Sequence, residues 1–102
     1  MPVVPVGGNT VAYVSPNGVP VVDINTANAA GLSHNTFTRY DVNPNGLVLN
    51  NGNTSQMARQ SELAGQVMAN TNLSNEARII LNEVISPNRS TLAGFTEEVG
   101  GK

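Results

Sequence analysis

The fold class is decided by one short stretch, Asn43-Pro44-Asn45-Gly46-Leu47-Val48-Leu49-Asn50-Asn51-Gly52-Asn53. Its first four residues are a strong turn signal, because Pro44 presets φ at the second turn position while Asn45 and Gly46 tolerate positive φ. The apolar residues after Gly46 are typical of a short strand, and the asparagines and glycine that follow predict a second turn. A turn, a strand and another turn within so short a stretch indicate an all-β solenoid, sandwich or barrel.

The composition of the whole chain agrees with short strands and turns. Of its 102 residues, 15 are asparagine and only 12% are charged, against a usual charged share of about 25%. The hydrophobic share of 39% allows a chain of this length to bury one modest core. The chain is too short for a large multi-domain enzyme.

Charge and cysteine content exclude several classes of function. Five basic and seven acidic residues give a formal charge of -2, and no basic run marks a nucleic-acid surface. The lack of cysteine rules out disulfides, thiolate metal sites and cysteine nucleophiles. No apolar stretch approaches the roughly 20 residues of a transmembrane helix. We therefore expect no nucleic-acid partner and no cofactor.

The first quarter of the chain predicts an arm followed by a hairpin. The prolines and glycines of residues 1–9 predict an extended N-terminal arm, and residues 10–102 form the remaining domain. The β-rich runs Thr10–Val14 and Val19–Asn25 flank a proline-containing turn, as in a hairpin. Pro20 indicates an edge strand, because proline lacks the N–H that a central strand donates.

Further strands and turns are predicted on both sides of the deciding stretch. Asn35–Val42 predicts a strand with a bulge or bend, because Phe37 and Tyr40 fall in opposite phases of the alternation. Ser86–Ser90 predicts a turn, and Thr91–Val99 predicts a last strand in which a glycine marks a bulge or corner.

Residues 56–85 do not favour one kind of element. Apolar residues between Ala77 and Ile85 fit helical spacing, with Ser74 as the N-cap. The same segment is rich in β-branched residues and is flanked by asparagines, which favours two short strands. On pattern alone, both alternatives stay open.

No catalytic arrangement stands out. His34 is the single histidine, and the chain lacks a Gly-x-Ser-x-Gly nucleophile elbow and the spaced aspartates of a calcium loop. Glu97 and Glu98 are adjacent, so on a strand they point to opposite faces and cannot act as an acid–base pair. We expect neither an enzyme nor a metal site. Glycosidase chemistry would need the fold to bring together three other glutamates, namely Glu62, Glu76 and Glu83.

The order of several motifs carries a family resemblance. In chain order they are Gly18-Val19-Pro20-Val21-Val22-Asp23-Ile24-Asn25, Asn28-Ala29-Ala30-Gly31-Leu32-Ser33-His34-Asn35, Tyr40-Asp41-Val42, Gly46-Leu47-Val48-Leu49-Asn50-Asn51 and Ala77-Arg78-Ile79-Ile80-Leu81-Asn82-Glu83-Val84. From about Thr10 to Val99 this succession resembles the N-terminal two-partner secretion domain, or haemagglutination activity domain, of filamentous-haemagglutinin-like exoproteins. That family includes adhesins, haemolysins and carriers of contact-dependent inhibition toxins of Gram-negative bacteria.

The resemblance implies an all-β fold, a right-handed parallel β-helix. Residues 10–102 would be a truncated two-partner secretion domain that supplies an N-terminal cap and the first coils, with short antiparallel strands outside the helix. On this basis the α-helix at Ser74–Ile85 is displaced by strands. The many asparagines suit such a fold because they can stack as ladders between coils. An open β-helix end would expose unpaired backbone, which invites self-association.

The resemblance also implies a function and a site. The domain would be recognised by the periplasmic domains of an outer-membrane transporter and would nucleate β-helix folding at the cell surface, so the protein would be secreted or surface-bound. The family's first secretion motif, Asn-Pro-Asn-Leu, falls on Asn70, Thr71, Asn72 and Leu73. Thr71 stands where proline is usual, so φ is not preset and the turn should be looser.

A second group of implied site residues follows at Asn82, Glu83 and Val84. Asn43–Gly46 spells the family's second motif, Asn-Pro-Asn-Gly, but it occupies an earlier place in the chain, so no role is transferred to it. Asn70 and Asn82 could equally serve only to satisfy backbone groups at corners.

Two other functions remain open from the sequence. An adhesin-type binding module that contacts a host surface, a target cell or glycans would use exposed aromatic side chains, and the candidates are Tyr13, Phe37, Tyr40 and Phe95. A glycan-cleaving enzyme on a β-helix would use the three glutamates named above, since a fold does not settle function.

Overall fold

The computed structural model describes residues 1–87 and 89–101 of the chain. Asn88, inside the turn predicted over Ser86–Ser90, and Lys102 lie outside the described residues. The described residues form nine strands, which are β1 (Val3–Pro5), β2 (Val11–Val14), β3 (Pro20–Asp23), β4 (Leu32–Tyr40), β5 (Leu47–Asn50), β6 (Ala58–Ser61), β7 (Gly65–Met68), β8 (Ile79–Val84) and β9 (Thr96–Val99). They contain no helix that could cross a membrane. The predicted all-β class is confirmed.

Parallel strand pairs stack the chain into coils. β3 pairs in parallel with β5, and β5 pairs in parallel with β9. β4 pairs in parallel with β8. Each of these pairs joins two strands that are separated by one full circuit of the chain. The first coil therefore contains β3 and β4, the second contains β5 and β8, and the third contains β9. A parallel bridge between Val42 and Leu92 adds a further line of contact.

Antiparallel strands lie at the start of this stack. β2 and β3 form the predicted hairpin, and β1 pairs with β4. The register between β1 and β4 shifts after Val4, which pairs with Arg39 while Pro5 pairs with Phe37. This irregularity confirms the bulge predicted in β4.

The edge-strand assignment from Pro20 is wrong. β3 lies between β2 and β5 in a four-stranded sheet of order β2-β3-β5-β9. Pro20 is tolerated there because it is the first residue of β3, where proline is compatible with a strand.

Within residues 1–9, for which an extended arm was predicted, Val3–Pro5 is a strand, whereas residues 7–9 form a bend and turn. Part of this segment belongs to the packed domain. β1 lies within this segment, and the Val3 side chain is fully buried in the interior. The backbone N–H of Asp41 donates a hydrogen bond to the carbonyl oxygen of Pro2 (2.8 Å). Local proline and glycine signals predict an extended backbone, whereas the pairing with β4 depends on residues distant in sequence.

The segment that fitted both a helix and strands contains the strand β8. The helix alternative over Ser74–Ile85 is therefore wrong, and the strand implied by the resemblance is right. Side chains of β8 alternate between exposed and half-buried positions, and its backbone pairs with β4 along six residues. The last strand is shorter than predicted, since β9 begins at Thr96.

The four-stranded sheet is buried on both faces near its centre. Leu47 and Leu49 of β5 pack into the interior cluster that contains Phe37. Val48, between them, packs on the opposite face in a second cluster that contains Val67 of β7. The hairpin β6–β7 therefore covers the outer face of this sheet. Burial on both faces explains why β5 is apolar without alternation.

A carboxylate fastens this hairpin to β9. Glu97 accepts hydrogen bonds from the Ser61 hydroxyl (2.8 Å) and from the backbone N–H groups of Glu62 (3.0 Å) and Leu63 (3.1 Å). Burial acts to raise the pKa of Glu97, but these three hydrogen bonds outweigh it and hold the pKa below its usual value. The hairpin turn thus binds the ionised form of Glu97.

We expect Glu97→Gln to lower the free energy of unfolding by about 1–3 kcal/mol, because an amide NH₂ then faces a backbone donor. The pKa of Glu97 is lower in the folded state, so its stabilising effect is present above the unfolded pKa and is lost as the pH falls through the folded pKa. Urea unfolding of both proteins at several pH values checks this. A stability difference that stays constant from neutral to acidic pH would contradict it.

Candidate functional site

The Asn70–Leu73 turn lies at a corner between the hairpin strand β7 and the coil strand β8. The backbone N–H of Leu73 donates to the carbonyl oxygen of Asn70 (3.1 Å). The N–H of Asn72 donates to Asn70 Oδ1 (3.0 Å). The Asn70 side chain thereby holds the turn that a proline at position 71 would otherwise preset.

The amide group of Asn70 joins two successive coils. Asn70 is fully buried, and its Nδ2 donates to the carbonyl oxygens of Ile24 (2.9 Å) and Asn50 (3.0 Å). Ile24 follows β3 and Asn50 ends β5, so these two carbonyls occupy corresponding corners of neighbouring coils. The Asn70 backbone N–H donates to the carbonyl of Gly52 (2.8 Å). In the folded chain the side-chain amide is fully engaged inside the molecule.

Asn72 and Leu73 extend the contacts of the turn. Asn72 Nδ2 donates to the carbonyl oxygens of Asn9 (2.7 Å) and Ile24 (3.1 Å). The Asn72 carbonyl accepts a hydrogen bond from the Thr26 hydroxyl (3.0 Å). Leu73 is only 1% exposed and packs in the interior cluster. The turn therefore ties the second coil to the first coil and to the N-terminal arm.

Other asparagines, which the sequence did not single out as site residues, continue this network. Asn51 binds Ala77 at two points: its Oδ1 accepts from the N–H (2.7 Å) and its Nδ2 donates to the carbonyl (2.9 Å). Asn35 Oδ1 accepts from the backbone N–H of Asn25 (2.8 Å) and from the Thr10 hydroxyl (2.8 Å). The position of Asn51 beside a predicted turn was an available signal, whereas Asn35 lies inside β4 and gave none. We call Asn25, Asn35, Asn50, Asn51, Asn70 and Asn72 the asparagine network.

Two carboxylates adjoin the network, since Glu98 Oε2 accepts a hydrogen bond from Asn51 Nδ2 (2.8 Å) and Asp23 contacts Asn50. Asn50 Nδ2 donates to Asp23 Oδ1 (2.8 Å) and to the carbonyl oxygen of Met68 (2.9 Å). Burial raises the pKa of Asp23, although the hydrogen bond from Asn50 acts in the opposite direction. Asn50 thus connects the first coil, the second coil and the hairpin through one side chain.

The second predicted group lies apart from this turn, on β8. Glu83 Oε1 lies within hydrogen-bond distance of His34 Nε2 (2.8 Å), and both side chains are about half exposed. Asn82 Nδ2 lies 3.5 Å from the Tyr40 hydroxyl, and its Oδ1 is buried with no hydrogen-bond partner among the described residues. Val84 is half-buried and pairs in register with Phe37. The structure does not join these residues to Asn70 by any hydrogen bond in the described chain.

The aromatic candidates for glycan contact are mostly inaccessible. Phe37 is fully buried, and the Tyr40 ring packs edge-on against it with centroids 4.9 Å apart. Tyr13 is half-buried and packs against the second cluster, the one that contains Val48 and Val67. Phe95 is 81% exposed. The geometry therefore offers a single large exposed aromatic surface from this group.

The three glutamates considered for catalysis have different surroundings. Glu76 pairs with Arg59 (2.9 Å), Glu83 pairs with His34, and Glu62 lies on the turn of the β6–β7 hairpin. Within residues 1–87 and 89–101, no three His, Asp or Glu side chains are grouped to hold a metal ion.

Comparison with known families identifies the chain. A family model described as the TPS secretion domain matches residues 5–102. The chain belongs to this family. The resemblance carried by the motif order is thereby confirmed, and domains of this family belong to exported exoproteins that work with a transporter partner.

Relatives of this TPS domain are much longer proteins. The chain is 47% identical over 95 residues to the 16S rRNA endonuclease CdiA of Enterobacter cloacae, covering 91% of this chain and 3% of that protein. It is 51% identical over 84 residues to a hemolysin of Serratia marcescens, covering 81% of this chain and 5% of that protein. The chain thus spans only a small part of these relatives, and their names describe the full-length proteins.

A solved structure shows the same fold. The crystal structure of the filamentous hemagglutinin secretion domain superposes with a TM-score of 0.87 and 38% sequence identity, over 98% of this chain and 32% of that one. The β-helix fold implied by the motif order is confirmed. Its sheets are mixed, because antiparallel β1 and β2 flank the parallel coils.

We expect Asn70→Ala to lower the free energy of unfolding by about 2–4 kcal/mol, because two buried carbonyls lose a donor and the Asn72 N–H loses an acceptor. Asn75→Ala is the matched control, since Asn75 is exposed and its side chain makes no hydrogen bond within residues 1–87 and 89–101, and it should change stability by less than about 0.5 kcal/mol. Urea unfolding of the three proteins measures both effects. Equal stability of the two variants would contradict the assigned role of Asn70.

We expect Thr71→Pro to raise the free energy of unfolding by about 0.4–1 kcal/mol, because proline reduces the freedom of the unfolded chain. Thr71 is exposed, and its backbone N–H donates to no acceptor in the described residues, so proline removes no hydrogen bond. The thermal midpoint, compared with that of Thr71→Ala, checks this prediction. A lower midpoint for the proline variant would show that the native φ at position 71 does not suit proline.

Proposed function

We propose that this chain is a secretion-recognition domain that is bound in an unfolded state by the periplasmic domains of its outer-membrane transporter. At the cell surface it then nucleates folding of a β-helix, so the mature protein is secreted or surface-bound. The observation that supports binding before folding is the burial of the secretion turn. Asn70 and Leu73 are inaccessible in the folded chain, so a partner can contact their side chains only while the chain is open.

An extended chain offers a simple mode of binding. It can add a strand to the edge of a partner's sheet, where main-chain hydrogen bonds provide affinity and side-chain pockets provide selectivity. This mode needs no catalytic group. Folding outside the cell would bury the bound segments and so make transport effectively one-way.

The nucleating role rests on which contacts the turn makes. Asn70 hydrogen-bonds Ile24 and Asn50, which precede it in the chain and belong to different coils. The turn can therefore close only on two stacked coils, and once closed it stabilises that stack. The next step in this proposal is the addition of β8 to the edge of β4. That strand carries Asn82, Glu83 and Val84.

The alternative of an adhesin-type binding module has less support. The burial of Phe37 and the packing of Tyr40 against it leave few aromatic surfaces for a glycan. Association of copies through the edges of β8 and β9, which end their sheets, stays a prediction.

A secretion assay tests the main proposal. The chain is placed behind an export signal and fused to a reporter, whose release into the medium is measured with and without the transporter. We expect release that requires the transporter and that falls severalfold with Asn70→Ala but not with Asn75→Ala. Release that is the same without the transporter would contradict the proposal.

A second control separates recognition of the motif from loss of stability. Leu47→Ala removes a buried side chain of β5, outside the motif, and should cost a comparable 2–5 kcal/mol or so. If Asn70→Ala reduces release more than Leu47→Ala does, the transporter recognises the motif in the unfolded chain. If the two variants reduce release equally, the motif acts through folding, and direct recognition of Asn70 is wrong.

A further inference from the structure

The chain contains three Asn-Gly pairs, at Asn17-Gly18, Asn45-Gly46 and Asn51-Gly52. Asparagine is a thermolabile residue because its side-chain amide can be lost by deamidation. A following glycine favours this reaction, since it has no Cβ to hinder attack by its backbone nitrogen on the asparagine side chain. The first and the last of the three pairs lie in opposite surroundings in the fold, and this contrast has a chemical consequence.

Deamidation is an intramolecular substitution followed by hydrolysis. The glycine nitrogen forms a bond to asparagine Cγ, the Cγ–Nδ2 bond breaks, and ammonia leaves with the proton of the glycine N–H. Water then opens the cyclic imide at either carbonyl, which gives aspartate or isoaspartate. No oxidant or reductant is needed. The reaction does require a free glycine N–H, a side chain that can turn towards it, and access of water.

The fold withholds all three requirements at Asn51. This residue is fully buried. Its Oδ1 accepts from the Ala77 N–H (2.7 Å), and its Nδ2 donates to the Ala77 carbonyl (2.9 Å) and to Glu98 Oε2 (2.8 Å). The Gly52 N–H donates to Asn50 Oδ1 (3.1 Å). Attack on Asn51 therefore requires the corner of the second coil to open first, and the open form is a minor population of a folded protein.

The Asn17-Gly18 pair is exposed instead. Both residues lie at the surface, and a Cβ at Gly18 would meet no atom within 4 Å, so water reaches the pair. Asn17 donates to the Leu63 carbonyl (2.8 Å) and accepts from the Ser15 hydroxyl, and the Gly18 N–H donates to the Ser15 carbonyl (2.9 Å). These bonds belong to a surface turn, so the turn can open while the coils stay intact.

The products of deamidation do not fit the corner at position 51. An aspartate there has no donor for the Ala77 carbonyl, which stays buried and unpaired. Its carboxylate would also lie against the carboxylate of Glu98, and like charges at this distance repel each other. Isoaspartate adds a methylene group to the main chain. It would displace the backbone N–H of Asn51 from the Val99 carbonyl that now accepts it (2.8 Å).

We propose that Asn51-Gly52 is a deamidation site that the fold protects. Asn51 reacts while the chain is unfolded, and either product keeps the second coil from closing, so the damage is irreversible. In the folded protein the reaction is confined to exposed pairs such as Asn17-Gly18, where the coils do not depend on the amide. The proposal concerns the chemistry of the chain alone, so it can fail while recognition by a transporter holds, and the reverse.

The test compares the two pairs within one protein. The protein is incubated in mildly alkaline buffer, with and without urea above the unfolding midpoint, and peptide mapping by mass spectrometry follows the replacement of NH₂ by OH at each asparagine. We expect similar rates at Asn51 and Asn17 in urea. Without urea, Asn17 should react at least about tenfold faster than Asn51, because only Asn51 depends on the population of an opened coil.

A glycine variant checks the nucleophile. Gly52→Ala, incubated in urea, should slow the reaction at Asn51 severalfold and leave the rate at Asn17 unchanged. Because this comparison is made in the unfolded chain, it does not depend on how the variant folds.

Refolding tests the effect of the products. Protein deamidated in urea is diluted into buffer, and folded and unfolded fractions are separated by size and mapped. Chains modified at Asn51 should collect in the unfolded fraction, whereas chains modified at Asn17 should divide as unmodified chains do. Asn51→Asp should lower the thermal midpoint by at least about 5 °C. Asn17→Asp is the matched control and should change it by less than about 2 °C, because water can replace its lost hydrogen bond.

Two results would overturn the proposal. One is deamidation of Asn51 as fast as that of Asn17 in the absence of urea, which would mean that burial does not protect the site. The other is recovery of chains modified at Asn51 in the folded fraction to the same extent as chains modified at Asn17.

Discussion

At the corners of a coil the backbone leaves the hydrogen-bond ladder of the strands while it is still buried, so its polar groups need other partners. This constraint shapes the rest of the structure. The carbonyl groups of Ile24 and Asn50 lie at such corners, where asparagine side chains rather than a neighbouring strand donate to them. An unpaired buried carbonyl costs about 1–3 kcal/mol. The Asn70 amide satisfies both at once. An asparagine can do this because it carries donors and an acceptor without a charge that must be desolvated.

The same requirement accounts for the unusual composition. Side-chain amides bind backbone groups at Ala77, Asn25 and Ile24, where lysine or glutamate would bring a costly buried charge. Charged residues occur instead where they fasten surface elements, as Glu97 does for the hairpin turn. The fold thus places neutral amides at the buried corners between coils, and carboxylates at less buried contacts such as Asp23 with Asn50 and Glu97 with the hairpin turn.

Local rules predicted the elements whose turns are encoded by neighbouring residues. The β2–β3 hairpin and β5 after the Asn43–Gly46 turn are of this kind. The β6–β7 hairpin was missed because Glu-Leu-Ala at its tip are good helix formers, and its available signal was Gly65, which adopts φ 77° at the end of a three-residue loop. Pro20 was misplaced because position within a sheet depends on strands that are distant in sequence.

The site shows the same division between local and distant information. Motif order placed the turn at Asn70–Leu73, but no local pattern could predict that Asn70 binds Ile24 and Asn50, because these partners lie 46 and 20 residues away. Both partners precede Asn70, so the turn can close as soon as the chain through Leu73 is free. In the proposed nucleation, β8 and β9 would then add to strands already in place, β4 and β5. Early closure would replace a search among many long-range pairings with stepwise addition of single strands, which would reduce the loop-closure cost of each step. A buried secretion turn is therefore consistent with the proposed early role in folding.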